Sequence, residues 1–305
     1  MKWLIWSVAM RSLVMAVSVF GMVSAAQAAD MPDLPVLRGG LTEGLNGARA
    51  NWDGYYVGGQ FGYGTSDMDF SGGQRALTNY IFRNTELQSP TSNWSVLNKQ
   101  HVQGSSFGAF VGRNWQWDDA VFGLEVNYNY MNRMAGASSG TLGPILVPAS
   151  GAPQNHVYNY STTISAGSAL TIKDVVTLRG RVGWAADNFL PYVFGGLAVG
   201  RMEVSRFATT NVQLRDDYTQ TVTITGLGTV TNTTTTYSPL AGVSKTYGES
   251  RTNSFVGGWT GGLGFEYMMW GGLFARGEWE YVKFMTVKDT AVTLNSFRAG
   301  VGYKF

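Results

Sequence analysis

The chain has 305 residues, no cysteine, 40 glycines and a formal net charge of +2. A charge that small does not recruit nucleic acid by bulk electrostatics, and without cysteine no disulfide framework is available. Charged residues make up 14 % of the chain against 13 % aromatics, where soluble domains carry about 25 % charge, and the long helical periodicities of a soluble enzyme are almost absent.

At the N-terminus, Lys2 and Arg11 precede the apolar run Ser12 to Val23, followed by Ala26-Gln27-Ala28. This is the pattern of a cleaved signal peptide over residues 1–28, with the cut after Ala28. The apolar run is shorter than the roughly 20 residues a membrane anchor needs. No cysteine stands at the cut to carry a lipid. Residues 29–51, with prolines, glycines and little periodicity, read as a flexible periplasmic leader. No later stretch offers about 18 uncharged apolar residues, so a spanning helix is excluded. What remains is an exported soluble β protein or a transmembrane β-barrel.

From residue 52 onward, apolar and polar positions alternate with period 2, the mark of strands with two unlike faces. The first segment sets Tyr55, Val57, Gly59, Phe61 and Tyr63 against Tyr56, Gly58, Gln60, Gly62 and Gly64. In the second, Phe107, Ala109 and Val111 alternate with small residues, while Phe110 and Arg113 interrupt the pattern. The third puts Phe122, Leu124, Val126, Tyr128 and Tyr130 opposite Gly123, Glu125, Asn127 and Asn129. The fourth places Val176, Leu178, Val182 and Trp184 against Thr177, Arg179, Arg181 and Gly183. The fifth carries Tyr192, Phe194, Ala198, Met202 and Val204 on one side. Its other side mixes Val193, Leu197 and Val199 with Arg201 and Glu203, which leaves its facing open. The sixth sets Phe255, Trp259, Leu263, Phe265 and Tyr267 against glycines, Thr260 and Glu266. The seventh sets Leu273, Ala275, Trp279 and Tyr281 against Arg276, Glu278 and Glu280. The eighth alternates Phe297, Ala299, Val301, Tyr303 and Phe305 with Arg298, Gly300, Gly302 and Lys304.

These eight strands, at about 54–66, 102–117, 120–131, 174–186, 190–206, 253–269, 273–286 and 292–305, match the roughly 9–11 residues a tilted membrane strand needs. Tight turns near residues 118, 188 and 271 fall at one end of the strands. The long gaps at 67–101, 132–173 and 207–252, and the short one at 287–291, fall at the other. The expected fold is therefore an all-β, eight-stranded antiparallel up-and-down transmembrane barrel over residues 52–305, with short periplasmic turns and long extracellular loops. Aromatics gather toward the tight-turn ends (Trp115, Trp117, Trp184, Tyr192, Tyr267, Trp270, Tyr303 and Phe305), as ring side chains do at a headgroup layer.

The polar faces collect Glu125, Arg179, Arg181, Arg201, Glu203, Glu266, Arg276, Glu278, Glu280, Arg298 and Lys304. An eight-stranded barrel is only wide enough for side chains to fill it, and buried charge must be paired. The eleven are read as an ion-pair network plugging the lumen. The alternative is a charged constriction in a narrow channel, with lumen-facing glycines leaving room for water.

Catalytic candidates are few. His101 and His156 are the two histidines, with Ser105 and Ser106 near the first and Ser161 near the second, and solvated loop histidines are the expected reading. No catalytic, metal or cofactor residue is assigned. Glycine pairs such as Gly58-Gly59 and Gly261-Gly262 lie inside strands and lack the helix a phosphate loop requires. The threonine-rich stretch around Gly226-Leu227-Gly228 is nearly symmetric and reads as a hairpin extending two strands beyond the membrane.

The stretches NWDGYYVGGQFGYG (51–64), LRGRVGWAADNFLPYVFGGLAVG (178–200) and FRAGVGYKF (297–305) resemble the outer-membrane immunogenic-protein family of small porin-like Gram-negative β-barrels. The likeness spans the strands from Asn51 to Phe305 and not the long loops. It implies outer-membrane location, a structural or antigenic surface role without enzymatic activity, and contact with outer-membrane lipid and lipopolysaccharide. It also implies that the terminal Phe305 is read by the barrel-assembly machinery. A few members of the family are associated with haem binding or small pores, so a diffusion channel and a loop-borne receptor or adhesin stay open as alternatives.

Overall fold

Alternating sequence becomes extended chain in ten strands. They are β1 (Gly54–Asp69), β2 (Lys99–Trp117), β3 (Ala120–Asn132), β4 (Ala135–Pro148), β5 (His156–Trp184), β6 (Phe189–Ile224), β7 (Gly228–Pro239), β8 (Thr246–Trp270), β9 (Leu273–Phe284) and β10 (Ala291–Lys304). The computed structural model describes residues 50–305. The expected signal peptide 1–28 and nearly all of the leader 29–51 lie outside the described residues. No helix among the described residues is long and apolar enough to cross a membrane.

Eight of these strands form a closed antiparallel ring in the order β1, β2, β3, β5, β6, β8, β9, β10. The last strand closes on the first, from Tyr56 opposite Lys304 to Asp69 opposite Ala291, so no edge is left open. β4 and β7 stand outside the ring, paired only to the outer ends of β5 and β6. The turn at Gly271-Gly272 joins Trp270 to Leu273, and both glycines take positive φ, as a two-residue hairpin requires. The equivalent turn at the far end, Lys288-Asp289, does the same with non-glycine residues.

The outer wall carries an apolar belt: Tyr55, Phe61, Phe107, Leu124, Leu178, Leu197, Leu263 and Phe297 are all exposed. The run Tyr55 to Tyr63, at roughly 3.3 Å per residue and a tilt near 40°, spans about 23 Å, close to the roughly 25 Å apolar band of an outer-membrane barrel. Exposed side chains in that belt meet lipid rather than water. Phe110 and Arg113 do not break the alternation of β2. Phe110 is a buried inward residue, and Arg113 points outward over the rings of Tyr55 and Trp115.

The expected long loops are largely not loops. β5 and β6 continue well past the belt, and β4 and β7 pair onto them. The threonine-rich segment forms the expected hairpin, with Val222 opposite Val230. The first outer loop folds back into the barrel mouth and forms two short helices, α1 (Arg75–Ile81) and α2 (Gln88–Thr91). Its Phe70, Leu77 and Leu97 are buried among Leu170, Ile172, Met202, Phe284 and Leu294.

Candidate functional site: a closed, charge-filled lumen

Three layers of side chains fill the bore. The periplasmic floor is aromatic: Trp52, Tyr56, Phe110, Leu190, Tyr192, Phe194 and Phe274 form one buried cluster. Trp52 meets Phe274 edge-on at 6.5 Å between ring centres. The outer cap is apolar, built from the folded-back loop and the extended strands. Between them lies the charged layer.

Four arginines and four glutamates compose that layer. Arg181 grips Glu266 with two parallel hydrogen bonds of 2.7 Å, the fork geometry that suits guanidinium and carboxylate. Arg276 bridges two carboxylates, donating to Glu266 from Nε at 2.9 Å and to Glu125 from Nη2 at 2.6 Å. Arg179 also joins two, with Nε 2.9 Å from Glu125 and Nη2 2.6 Å from Glu278. Arg298 reaches Glu278 at 3.0 Å and Glu280 at 2.8 Å. All eight side chains are at most 2 % exposed. Equal numbers of each sign leave the layer neutral, and a buried set of this kind survives because every carboxylate is multiply bonded.

Neutral groups complete it. Tyr56 and Tyr192 donate their hydroxyls to Glu125 and Glu278 at 2.8 and 2.6 Å. Thr260 donates to Glu280 at 2.8 Å. Gln60 donates to Asn127 and Asn129 at 3.1 and 2.7 Å, carrying the polar layer upward. Each arginine also keeps one nitrogen without a hydrogen-bond partner. Aromatic faces lie against three of these guanidiniums: Phe110 is 3.7 Å from Arg276, Phe194 4.1 Å from Arg179, and Tyr192 4.5 Å from Arg181.

Of the eleven charges assigned to the lumen, Glu125, Arg179, Arg181, Glu266, Arg276, Glu278, Glu280 and Arg298 therefore come together. Three do not. Arg201 and Glu203 face outward at the upper edge of the apolar belt, where Arg201 pairs with Asp174 and Glu203 with Lys173. Their strand, β6, is apolar on both faces. Tyr192, Phe194, Ala198 and Met202 turn in, and Val193, Leu197 and Val199 turn out. Charge alone is a poor guide to facing at the height where the belt ends. Tyr192 is accordingly part of the lumen floor and not of the lipid-facing aromatic girdle. Lys304 has the inward parity but sits at the periplasmic rim, where its ammonium donates to the Asp53 carbonyl at 2.9 Å, below the reach of the glutamates.

At Gly112 and Gly262 the space a side chain would take is filled by aromatic residues. A Cβ on Gly112 would lie 2.3 Å from the Tyr56 hydroxyl, and one on Gly262 2.5 Å from the Phe194 ring. They are the spaces into which these rings fit. Sequence reasoning set Tyr56 on the glycine-rich face of its strand without giving it a role in the lumen, and missed Phe110, Tyr192 and Phe194 as lumen residues. The signal available was parity: each lies on the same face of its strand as an inward glycine.

Neither histidine is joined to serine among the described residues. His101 Nδ1 lies 2.5 Å from Asp67, and His156 Nδ1 2.7 Å from Asp216, both beyond the belt.

The family model described as the outer membrane protein beta-barrel domain matches residues 15–305. The chain belongs to this family. The barrel is thus an outer-membrane protein, and its apolar belt is the part that the lipid surrounds. Among solved structures it is similar to Ail, the attachment invasion locus protein of Yersinia pestis, at 9 % identity and a TM-score of 0.30, covering 83 % of this chain and 99 % of that one. It is also similar to Neisserial surface protein A, at 12 % identity and a TM-score of 0.29, covering 82 % and 97 %. No curated protein matches the barrel.

Proposed function

We propose that this protein is a non-conducting, non-enzymatic barrel that strengthens the outer membrane and displays an extracellular β-structure as a surface antigen. The observation that carries the reading is the succession of aromatic floor, neutral Arg–Glu lattice and apolar cap across a single bore. An ion entering would have to displace side chains that are bonded to two or more neighbours. The surface role is supported by the β6–β7 hairpin. Every residue of β7 is exposed, and Leu227 at the turn is 84 % exposed. The non-enzymatic part is supported by the histidine surroundings given above.

The terminal Phe305 fits the expected role of an assembly signal read by the barrel-assembly machinery. Its amide donates to the Tyr55 carbonyl at 2.9 Å, and its ring lies exposed beside Tyr303 at the rim. Planar-bilayer recording tests the central claim. Purified protein should give no steady unitary conductance, and reproducible open steps would overturn the closed-lumen reading.

A further inference from the structure

The sheet has two end strands, β4 and β7, and their edges are finished differently. β4 is covered and interrupted. The Asn98 amide of the first outer loop donates to the Ser138 hydroxyl at 2.9 Å, and Val96 packs against Gly140. A register shift breaks the strand between Leu142 and Ile145, where Pro144 sits. Prolines, bulges and covering segments are ways in which a sheet edge is kept from pairing further. β7 has none of these before Pro239. Its ladder with β6, from Pro239 opposite Gln213 to Gly228 opposite Ile224, runs without a register shift. It carries no charged residue, all of it is exposed, and among the described residues no strand pairs with its far side.

Toward the tip the ribbon loses its remaining support. The β5–β6 ladder ends at His156 opposite Tyr218, and beyond it the Thr219 amide donates to the Asn155 carbonyl at 2.8 Å. From Gln220 to Asn232 only two strands remain. Such a ribbon is marginally stable in water by itself, and a third strand is what it lacks. The edge that would meet that strand is uniform. Thr229, Thr231, Thr233 and Thr235 line one face of β7, and Val230, Asn232, Thr234 and Thr236 the other. The strand with which β7 already pairs has the same make-up. Thr219, Thr221 and Thr223 stand opposite Thr233, Thr231 and Thr229, and Val222 stands opposite Val230. The Thr219 and Thr233 hydroxyls lie 3.3 Å apart, a cross-strand contact of the kind that favours pairing.

We propose that the free edge of β7 pairs with the β7 edge of a second copy of this protein standing in a facing membrane. Composition selects the second copy. A charge-free edge of threonine and valine has nothing with which to select a charged segment, and a second β7 offers it the same residues that β6 does. Strand direction selects the facing membrane. β7 runs from its tip at Gly228 back toward its own membrane. Copies in one membrane therefore present parallel β7 strands. Copies in opposed membranes present antiparallel ones, the more stable arrangement and the one β7 already has with β6. Antiparallel self-pairing is two-fold symmetric, so each contact joins two copies and closes. The reach suits it: Gln213, where the β7 ladder begins, lies about 40 Å along β6 beyond Arg201 at the belt edge. One such ladder is weak, and many between two surfaces act together. The inference rests on the surface display of this hairpin and adds its partner.

The test uses the full-length barrel reconstituted in phosphatidylcholine vesicles. Heat-modifiable gel mobility checks its folding, and clipping of the hairpin by external protease checks its display. Two populations carrying different dyes are mixed, and tethering is read from their co-localisation. Wild-type vesicles should tether one another and not protein-free vesicles. Thr231→Lys/Thr233→Lys should reduce tethering tenfold or more, because like charges then face each other across the paired edges. Thr231→Glu/Thr233→Glu should do the same. Mixing lysine vesicles with glutamate vesicles should restore tethering, a rescue that neither misfolding nor a foreign partner would reproduce. Wild-type vesicles that stay apart although protease clips the hairpin would overturn the pairing and leave the display standing. A hairpin shielded from protease would overturn both. Tethering to protein-free vesicles, or a mixed pair no better than either variant alone, would also overturn the proposal.

Discussion

Two stretches of β5 obey opposite rules. Between Val176 and Trp184, the residues Val176, Leu178, Val182 and Trp184 face out, while Thr177, Arg179 and Arg181 face in. Between Ser161 and Ile172, the residues Ile164, Leu170 and Ile172 face in, while Ser161, Thr163, Ser165 and Thr171 face out. The covalent chain is continuous and its pairing with β6 is unbroken except at one bulge, so the difference comes from the surroundings. In the membrane the outer wall must be apolar, and a polar interior then fixes which face is which. Above the membrane the outer wall meets water, and the interior supplies an ordinary apolar core. The bulge at Lys173 lies at the changeover and inverts the parity of the strand, so that each half presents its apolar face correctly. The molecule is a membrane barrel continued by a water-facing β-structure on the same strands.

The two halves should respond differently to substitution. The largest effect is expected for Arg276→Ala in the membrane half. It removes the guanidinium shared by Glu125 and Glu266 and leaves buried carboxylate charge short of a partner, a loss of about 3–5 kcal/mol. Urea unfolding in detergent micelles, followed by gel mobility, measures it, and an unshifted midpoint would show that the lattice does not act as a unit. Leu170→Ala in the outer half should cost about 3 kcal/mol through the cavity it leaves. Its signature should be local: faster amide exchange in β4 and the outer ends of β5 and β6, with exchange in the belt unchanged. Loss of protection in both halves together would erase the distinction between them.

A smaller change, Gly112→Ala, probes the fit of the lumen rather than its charge. The added methyl meets the Tyr56 hydroxyl, and overpacking of this kind costs about 2 kcal/mol. A neutral result in the same unfolding measurement would mean that the floor has slack.

The smallest effect concerns pH and only the outer half. Hydrogen bonds from the Ser150 hydroxyl and amide hold the Glu86 carboxyl below its ordinary value of 4.5. A depressed folded value means that this tie stabilises the loop above about pH 4.5 and is lost as pH falls through the folded value. Limited proteolysis of the first outer loop should therefore quicken on acidification below that range. Glu86→Gln should reduce the pH dependence to the part that Asp69, held low by Ser71 and Lys99 at the base of the same loop, still contributes, while leaving the gel mobility of the barrel unchanged.

Much of the membrane half was legible because lipid imposes a strict code. Alternation located all eight ring strands, and loop parity told the two ends apart. Eight of the charges expected in the lumen do meet there. The code failed on β6, where Tyr192 and Phe194 turn inward and Val193 and Leu197 outward, so that hydrophobicity carries no sign of facing. It failed again for Arg201 and Glu203, because a charge at the edge of the belt is as well placed outside, in the headgroup layer, as inside. The outer half was less legible. Thr, Ser and Gly on its strands show little contrast between faces, and the helices of the first loop are too short to impose a period. The threonine hairpin was the exception, since its near-symmetry about Gly226-Leu227-Gly228 specifies its own register.

By itself the sequence determined the number and direction of the ring strands and the lipid-facing side of all of them except β6, because each follows from periodicity and from the need to leave no polar backbone unpaired in lipid. Only the tertiary structure decided which carboxylate each arginine grips, and that aromatic rings occupy the spaces left by the lumen glycines. It alone decided that the first outer loop caps the bore, and that Arg201 stands on the wall rather than within it. Those outcomes depend on heights and angles around a closed ring, and residues far apart in the chain share a height only once the first strand has paired with the last.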